Sequence, residues 1–149
     1  MDKKKEIDML KCSDNKQAYN VLKKLLAISE KSPELYPFFN EFVDMMNNQE
    51  NSFIRTRGLR LIAYHSKWDT ENKVNSIIDD WLEHIEDAKP ITARQCIKDT
   101  VMIAKYKPEL IDTILNSLEN FHKIYDDSMQ SLIYKDIKQA IRQIRQYTW

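Results

Sequence analysis

Glycine is nearly absent from this chain of 149 residues, in which Gly58 is the single example. Gly-rich loops that hold nucleotide phosphates, of the Rossmann or P-loop type, need several glycines at fixed spacing and are therefore excluded. Tight β-hairpins also usually depend on glycine. Because Lys, Glu, Leu, Ile and Asp are abundant at the same time, the composition predicts an all-α protein.

Cysteine and histidine are scarce as well. Cys12 and Cys96 are too few for a disulfide framework and too far apart for a zinc pair, which favours a reducing compartment. The three histidines, His65, His84 and His122, show no metal-ligand spacing. We therefore predict a cytoplasmic protein that uses no metal and no cofactor.

Long apolar runs are missing too. No stretch approaches the roughly 18 apolar residues that suggest a transmembrane helix, and the charged start of the chain lacks the apolar part of a signal peptide. The 23 basic residues equal the 23 acidic ones in number, so there is no general attraction to nucleic acid or anionic lipid. We expect no membrane association, and a protein or peptide partner ahead of nucleic acid.

An internal repeat is the main positive signal. Residues 27–35 read AISEKSPEL and residues 103–110 read IAKYKPEL, and their shared Pro-Glu-Leu endings lie 75 positions apart. A partial third copy, IAYHSK at residues 62–67, lies between them, so the working period is about half of 75. Repetition every ~20–50 residues indicates a solenoid of stacked repeats.

A step of 37 residues places apolar or small side chains in two columns. The first column contains Leu22, Leu59, Cys96 and Ile133, and the second contains Leu26, Ala63, Thr100 and Ile137. Because the two columns are four residues apart, they share one helix face and predict the core. Gly58 lies beside the first column, where we expect it to permit a close helix–helix approach.

Apolar spacing and capping residues predict a single domain over residues 1–149 with three helix pairs at about 14–48, 52–86 and 90–121. A short helix at 4–10 precedes them, and a capping helix at 127–146 follows. We call the first helix of each pair, and the capping helix, A helices, and the second helix of each pair a B helix. Phe53 and Leu132 are expected to face inward, and Thr70 is expected to cap the second B helix.

Two A-helix starts resemble a known repeat. Residues 52–59 (SFIRTRGL) and 90–97 (PITARQCI) are similar to the first helices of HEAT repeats, where Ser or Pro is followed by an arginine. The resemblance, which extends to small bacterial HEAT-like proteins, covers residues 14–146, although HEAT and armadillo periods are longer, at roughly 40–47 residues. It implies a right-handed α–α superhelix of about three helix pairs plus the C-terminal capping helix, with B helices lining the concave face.

The two sets of helices carry opposite charge. The B helices, taken as 33–48, 70–86 and 108–121, contain 11 acidic residues and one basic residue, Lys73, whereas the A helices are rich in Lys and Arg. Given the HEAT resemblance, we predict an acidic groove for a basic peptide or helix. The predicted contact residues are Asn40, Asp44, Asn75, Asp79, Glu83, Asp112 and Asn116. The alternative is a solvated face with ordinary salt bridges between A and B helices.

A second cluster is basic. It consists of Arg55, Arg57, Arg60 and Arg94. Guanidinium groups hold oxyanions through paired hydrogen bonds, so these arginines could form a phosphate, nucleic-acid or acidic-partner site. The alternative is that they pair with acids of the next layer, such as Asp99 or Asp136. Since no catalytic constellation occurs, we expect a binding or scaffold protein and not an enzyme.

Overall fold

The computed structural model describes residues 2–148 and contains α- and 3-10 helices but no strand in that range. The α-helices are α1 (Lys3–Met9), α2 (Asn15–Lys31), α3 (Phe39–Met46), α4 (Ser52–Tyr64), α5 (Lys73–Leu82), α6 (Pro90–Tyr106), α7 (Ile111–Glu119) and α8 (Asp127–Arg145). Short 3-10 helices cover Tyr36–Phe38, His65–Trp68, Glu83–Glu86 and Pro108–Leu110. The all-α prediction is confirmed, and every predicted helix has a counterpart.

The start of the second B helix differs from the prediction. Asp69, not Thr70, supplies the cap: its Oδ1 accepts from the Lys73 N–H at 2.9 Å and its Oδ2 from the Val74 N–H at 2.8 Å. Asn72 adopts the left-handed conformation, with φ of 55°, just before α5 begins. Asparagine tolerates this conformation better than most residues. The turn therefore continues two residues further than expected, and Thr70 stays exposed.

The chain divides into two compact units, the first ending at Trp68 and the second beginning at Asp69. In the first unit α4 packs against α2 and α3, and α1 packs against α2. In the second unit α6 packs against α7 and α8, and α7 also contacts α8. Consecutive A helices are thus neighbours within each unit, which is compatible with a helical repeat. The single domain over residues 1–149 stays a prediction.

The two predicted core columns are buried. None of their eight residues exposes more than 7% of its surface. Two other inward predictions are wrong, because Phe53 is 57% exposed and Leu132 is 39% exposed. A helix turns by roughly 100° per residue, so Phe53 lies on the face opposite Ile62, and Leu132 lies well away from Ile137. Both residues are apolar, but the register of their helices turns them outward.

Gly58 lies where α4 crosses α3. A Cβ atom at this position would come within 2.6 Å of the Phe42 carbonyl oxygen, 2.7 Å of Met45 Cβ and 2.7 Å of the Met46 nitrogen. Two of these three atoms belong to the backbone of α3, so the neighbouring helix could not give way without moving as a whole. The predicted role of Gly58 in a close helix–helix approach is confirmed.

Several hydrogen bonds recur at about the period of the sequence. Lys67 Nζ donates to the Glu30 carbonyl at 2.9 Å, across 37 residues of the first unit. In the second unit Lys107 Nζ donates to the Asp69 carbonyl at 2.9 Å across 38 residues. The same buried ammonium lies 3.1 Å from Asp69 Oδ2, so the residue that caps α5 also anchors the end of α6. Each unit therefore ties one repeat to the preceding one.

Candidate functional site

Part of the predicted acidic groove forms a cleft in the second unit. One wall of the cleft is formed by α5 and the 3-10 helix that follows it, and the other by α7. The volume of the cleft is about 280 Å³. We call it the α5–α7 cleft. Its lining residues are Asp79, Leu82, Glu83, Ile85, Glu86, Asn116, Ser117, Asn120 and His122.

The polar walls of the cleft follow the repeat. Asp79 and Asn116 are 37 residues apart, as are Glu83 and Asn120, and both pairs line the cleft. On the α7 side, Asn120 Nδ2 donates to the Asn116 carbonyl at 2.8 Å and to its Oδ1 at 3.0 Å. One wall therefore presents carboxylates and the other presents amides that are held in position.

Asp79 and Glu83 are the uncompensated charges of the cleft. Both are exposed, and within residues 2–148 neither carboxylate takes part in a hydrogen bond or ion pair. Like charges four residues apart on a helix destabilise it by roughly 0.2–0.5 kcal/mol. The protein thus carries an unfavourable local arrangement that a cation placed between the two carboxylates would relieve.

Glu86, by contrast, already has partners. Its Oε2 accepts from the backbone N–H groups of His122 at 3.0 Å and Lys123 at 2.6 Å. The hydroxyl of Tyr125, in the same loop, donates to the Asp87 carbonyl. Burial, aided by the charges of Asp87 and Glu86, raises the pKa of Tyr125 above its ordinary value. Glu86 therefore fastens the loop at the end of the cleft.

The remaining predicted groove residues lie outside the lining. Asn75 Nδ2 donates to Glu109 Oε2 at 3.0 Å, and this bond is the main reason that the pKa of Glu109 is lowered. Asp112 is exposed on α7, one turn before the lining begins, and has no partner within residues 2–148. Asn40 and Asp44 are exposed on α3 in the first unit. The structure therefore brings Asp79, Glu83 and Asn116 together.

Six of the nine lining residues are missing from the predicted set: Leu82, Ile85, Glu86, Ser117, Asn120 and His122. Asn120 could have been included, because it follows Glu83 at the period of 37 residues. Glu86 and His122 carry no comparable signal. They come together because the loop after α7 passes beside the 3-10 helix Glu83–Glu86, and the path of a loop is not written in a helical period.

Two arginines of the basic cluster are buried in the first unit. Arg57 Nη1 donates to the Leu10 carbonyl at 2.7 Å and Nη2 donates to Asn15 Oδ1 at 3.0 Å. Burial lowers the pKa of Arg57. Arg55 Nη1 donates to the Asn48 carbonyl at 2.9 Å. These guanidinium groups connect helices and loops of the unit and leave little surface for an external anion.

The other two arginines have partners as well. The Arg60 guanidinium lies 5.9 Å from the centre of the Tyr64 ring. Arg94, in the second unit, donates from Nε to Asp136 Oδ2 at 2.7 Å and from Nη2 to Oδ1 at 3.4 Å. Asp136 thereby raises the pKa of Arg94. The expected pairing with Asp136 is confirmed, and Asp99 accepts a hydrogen bond from Gln95.

No protein-family model matches the chain, and no curated protein or solved structure shows significant similarity to it. The HEAT-like resemblance therefore stays a prediction. Within the described part of the chain, no group of three or more His, Cys, Asp or Glu side chains is placed to hold a metal ion. None of the helices between residues 2 and 148 has the length and apolar character to cross a bilayer.

Proposed function

We propose that this protein is a non-catalytic binding or scaffold module of the HEAT-like superhelical type, and that the α5–α7 cleft takes a basic peptide or helix. The observation that carries the proposal is the pair of uncompensated carboxylates, Asp79 and Glu83, one helical turn apart on one wall. Opposite them, Asn116 and Asn120 supply amide groups for the backbone or polar side chains of a bound segment.

The chemistry of the cleft favours a ligand of this kind. Two Lys or Arg residues one turn apart on a helix have about the same spacing as Asp79 and Glu83. Leu82 and Ile85 contribute apolar atoms to the lining, so short aliphatic side chains between the two cations fit best. Exposed ion pairs contribute only about 0.2–1 kcal/mol each and are screened by salt. We therefore expect weak, salt-sensitive binding.

The test is fluorescence anisotropy with labelled helix-forming peptides that carry Lys at positions i and i+4, at low ionic strength. The variant Asp79→Lys/Glu83→Lys should weaken binding at least tenfold, because the attraction becomes repulsion. The matched control is Asp80→Lys, which reverses an exposed carboxylate beside Asp79 that does not line the cleft. It should change binding by less than about threefold, through long-range charge alone.

Unchanged affinity in the double variant, with its helical circular dichroism intact, would remove the cleft as the binding site. Peptides with Glu in place of Lys serve as the charge control and should not bind. Equal binding of both peptide series would show that charge does not select the ligand, and would also contradict the proposal.

A phosphate or nucleic-acid module built on Arg55, Arg57, Arg60 and Arg94 is the second candidate. It has less support, because these four guanidinium groups already lie against protein acceptors or an aromatic ring. A ligand would have to displace those contacts before it gained any of its own. Filter binding of a short DNA duplex over a range of salt concentrations tests this candidate directly.

A further inference from the structure

The outer face of α8 is a row of basic side chains. The helix packs into the second unit through Ile133, Ile137, Ala140 and Ile144, each no more than 7% exposed. At roughly 100° per residue, Lys135, Lys138 and Arg142 point to the opposite side, and all three are exposed. We call these three residues the α8 row.

No acid in the described part of the chain neutralises the α8 row. Within residues 2–148, Lys135, Lys138 and Arg142 take part in no hydrogen bond or ion pair, whereas Arg145 reaches Glu119 at 3.0 Å. Asp136, on the same helix, is engaged by Arg94 at 2.7 Å. The row therefore presents free cations along about 10 Å of the helix. Contact with an anionic surface would lower the electrostatic free energy of such a face.

The charge of the second unit indicates what kind of anionic surface fits. From residue 69 to the end of the chain, 14 acidic and 11 basic residues give a net charge of −3. A polyanion such as duplex DNA would be repelled by the unit as a whole. A local protein surface with a few carboxylates matches the row with less long-range repulsion, because it carries far less negative charge than a duplex. The α5–α7 cleft has this character, since Asp79 and Glu83 are uncompensated.

We propose that the α8 row of one molecule docks into the α5–α7 cleft of a second copy of the chain. This inference rests on the proposed function, because it names the basic helix that the cleft receives. The contact joins two different surfaces, so a pair of molecules retains a free cleft on one molecule and a free row on the other. The same contact then adds further copies, and the protein forms short head-to-tail chains at high concentration.

The balance of forces makes this association weak and ionic. The net charge of −3 on each second unit opposes approach, but charges farther apart than a Debye length of ~8 Å are screened at physiological salt. At contact distance the opposite charges of row and cleft dominate. Leu132 and Tyr134, which are 39% and 50% exposed on α8, add apolar surface on either side of the row.

Sedimentation velocity of the full chain over a concentration series, at low and at high salt, tests the proposal. Wild type should associate at low salt and dissociate at high salt. The cleft variant, Asp79→Lys/Glu83→Lys, and the row variant, Lys138→Glu/Arg142→Glu, should each associate at least tenfold more weakly. An equimolar mixture of the two variants should associate again, because the intact row of the first meets the intact cleft of the second.

The control is Lys98→Glu/Lys105→Glu, which makes the same charge change on exposed positions of α6. It should associate within about threefold of wild type, since only long-range charge changes. Wild type that stays monomeric at low salt would overturn the second-copy proposal. Association unaltered in the two variants, or no recovery in their mixture, would overturn it as well.

The two proposals fail in different ways. Basic peptides that bind the cleft of a strictly monomeric protein would leave the proposed function standing and eliminate only the second copy as the partner. Binding of a DNA duplex that is lost in the row variant, with no self-association, would assign the α8 row to nucleic acid and overturn the inference. If the protein neither binds basic peptides nor self-associates, both proposals are wrong, because both depend on the cleft.

Discussion

Gly58 shows how a single residue decides a helix crossing. Its missing side chain lets the backbone of α3 approach α4, and a methyl group there would meet backbone atoms at 2.6 and 2.7 Å. In a helix interior glycine costs about 1 kcal/mol relative to alanine. The packing of α3 on α4 therefore has to outweigh an unfavourable local propensity.

Replacement of Gly58 by alanine tests this balance. The gain in helix propensity is about 1 kcal/mol, but overpacking costs typically ~1–3 kcal/mol and more where backbone must move. We expect Gly58→Ala to lower the free energy of unfolding in urea by about 1–2 kcal/mol. The reverse change, Ala27→Gly at an exposed position of α2, should cost about 1 kcal/mol through propensity alone. A more stable Gly58→Ala variant would contradict the crowding seen in the structure.

Residue roles were predictable where they depend on a helical period. Gly58 and the two columns could be placed by counting, because helix geometry fixes which positions share a face. The cap of α5 could not be predicted in this way. Asp69 and Thr70 are both good capping residues, and the choice between them depends on the left-handed turn at Asn72 and on Lys107, which is 38 residues further along the chain.

At the scale of elements, α1 is attached to α2 through one buried carboxylate. Glu6 is 3% exposed, and it accepts from Lys24 at 2.9 Å and from Lys3 at 3.4 Å. The hydrogen bond from Lys24 is the main cause that lowers the pKa of Glu6 below its ordinary value of 4.5. The docking of α1 therefore depends on pH as well as on the apolar contacts of Ile7 and Leu10.

The sign of that dependence follows from the lowered pKa. The contribution of the ionised Glu6 to stability is fully present above pH 4.5 and is lost as the pH falls through the lower pKa of the folded state. We expect Glu6→Gln to reduce the free energy of unfolding at pH 7 by roughly 0.5–1 kcal/mol, and to flatten its decline below pH 4.5. Urea unfolding monitored by circular dichroism between pH 3 and 7 measures both effects.

The matched control is Glu50→Gln, which removes an exposed carboxylate that forms no ion pair within residues 2–148. In this variant the free energy of unfolding should fall between pH 7 and pH 3 by the same amount as in wild type. If Glu6→Gln and wild type lose stability in parallel as the pH falls, the proposed role of Glu6 in attaching α1 is wrong.

The bounds of the A helices were largely predictable because local signals mark their ends. The first B helix was predicted less well, since it was expected from residue 33 but α3 begins at Phe39, after the 3-10 helix Tyr36–Phe38. Ser52 and Pro90 mark helix starts, and α4 and α6 begin there as expected. The rotation of a helix about its own axis is less constrained by sequence. Phe53 and Leu132 are apolar, which favours an inward position. Their exposure depends instead on the residues of the packed face, because the combined burial of those residues outweighs the burial of one side chain.

At the scale of the whole molecule, balanced charge predicts weak interaction with nucleic acid. The chain has 23 basic and 23 acidic residues, and the arginines of the predicted anion site already have protein partners. We expect filter binding to detect little retention of a short DNA duplex by the protein at low salt. Any residual binding should show a shallow salt dependence, since few phosphates would be neutralised.

The cleft variant provides the positive control for that assay. Asp79→Lys/Glu83→Lys raises the net charge by four, and duplex binding should increase measurably in this variant. A steep decrease of wild-type affinity with salt would indicate several phosphate contacts and would favour the nucleic-acid alternative over the peptide cleft.

The sequence by itself determined the all-α class, the period of 37 residues, the buried columns and the acidic character of the B helices, because these properties depend on composition and on the fixed geometry of a helix. Only the tertiary structure decided which polar positions meet. The path of the loop after α7 brings Glu86 and His122 to the α5–α7 cleft. Helix packing gives protein partners to the arginines of the predicted anion site. Such contacts join residues far apart in the chain, and no local rule of spacing specifies them.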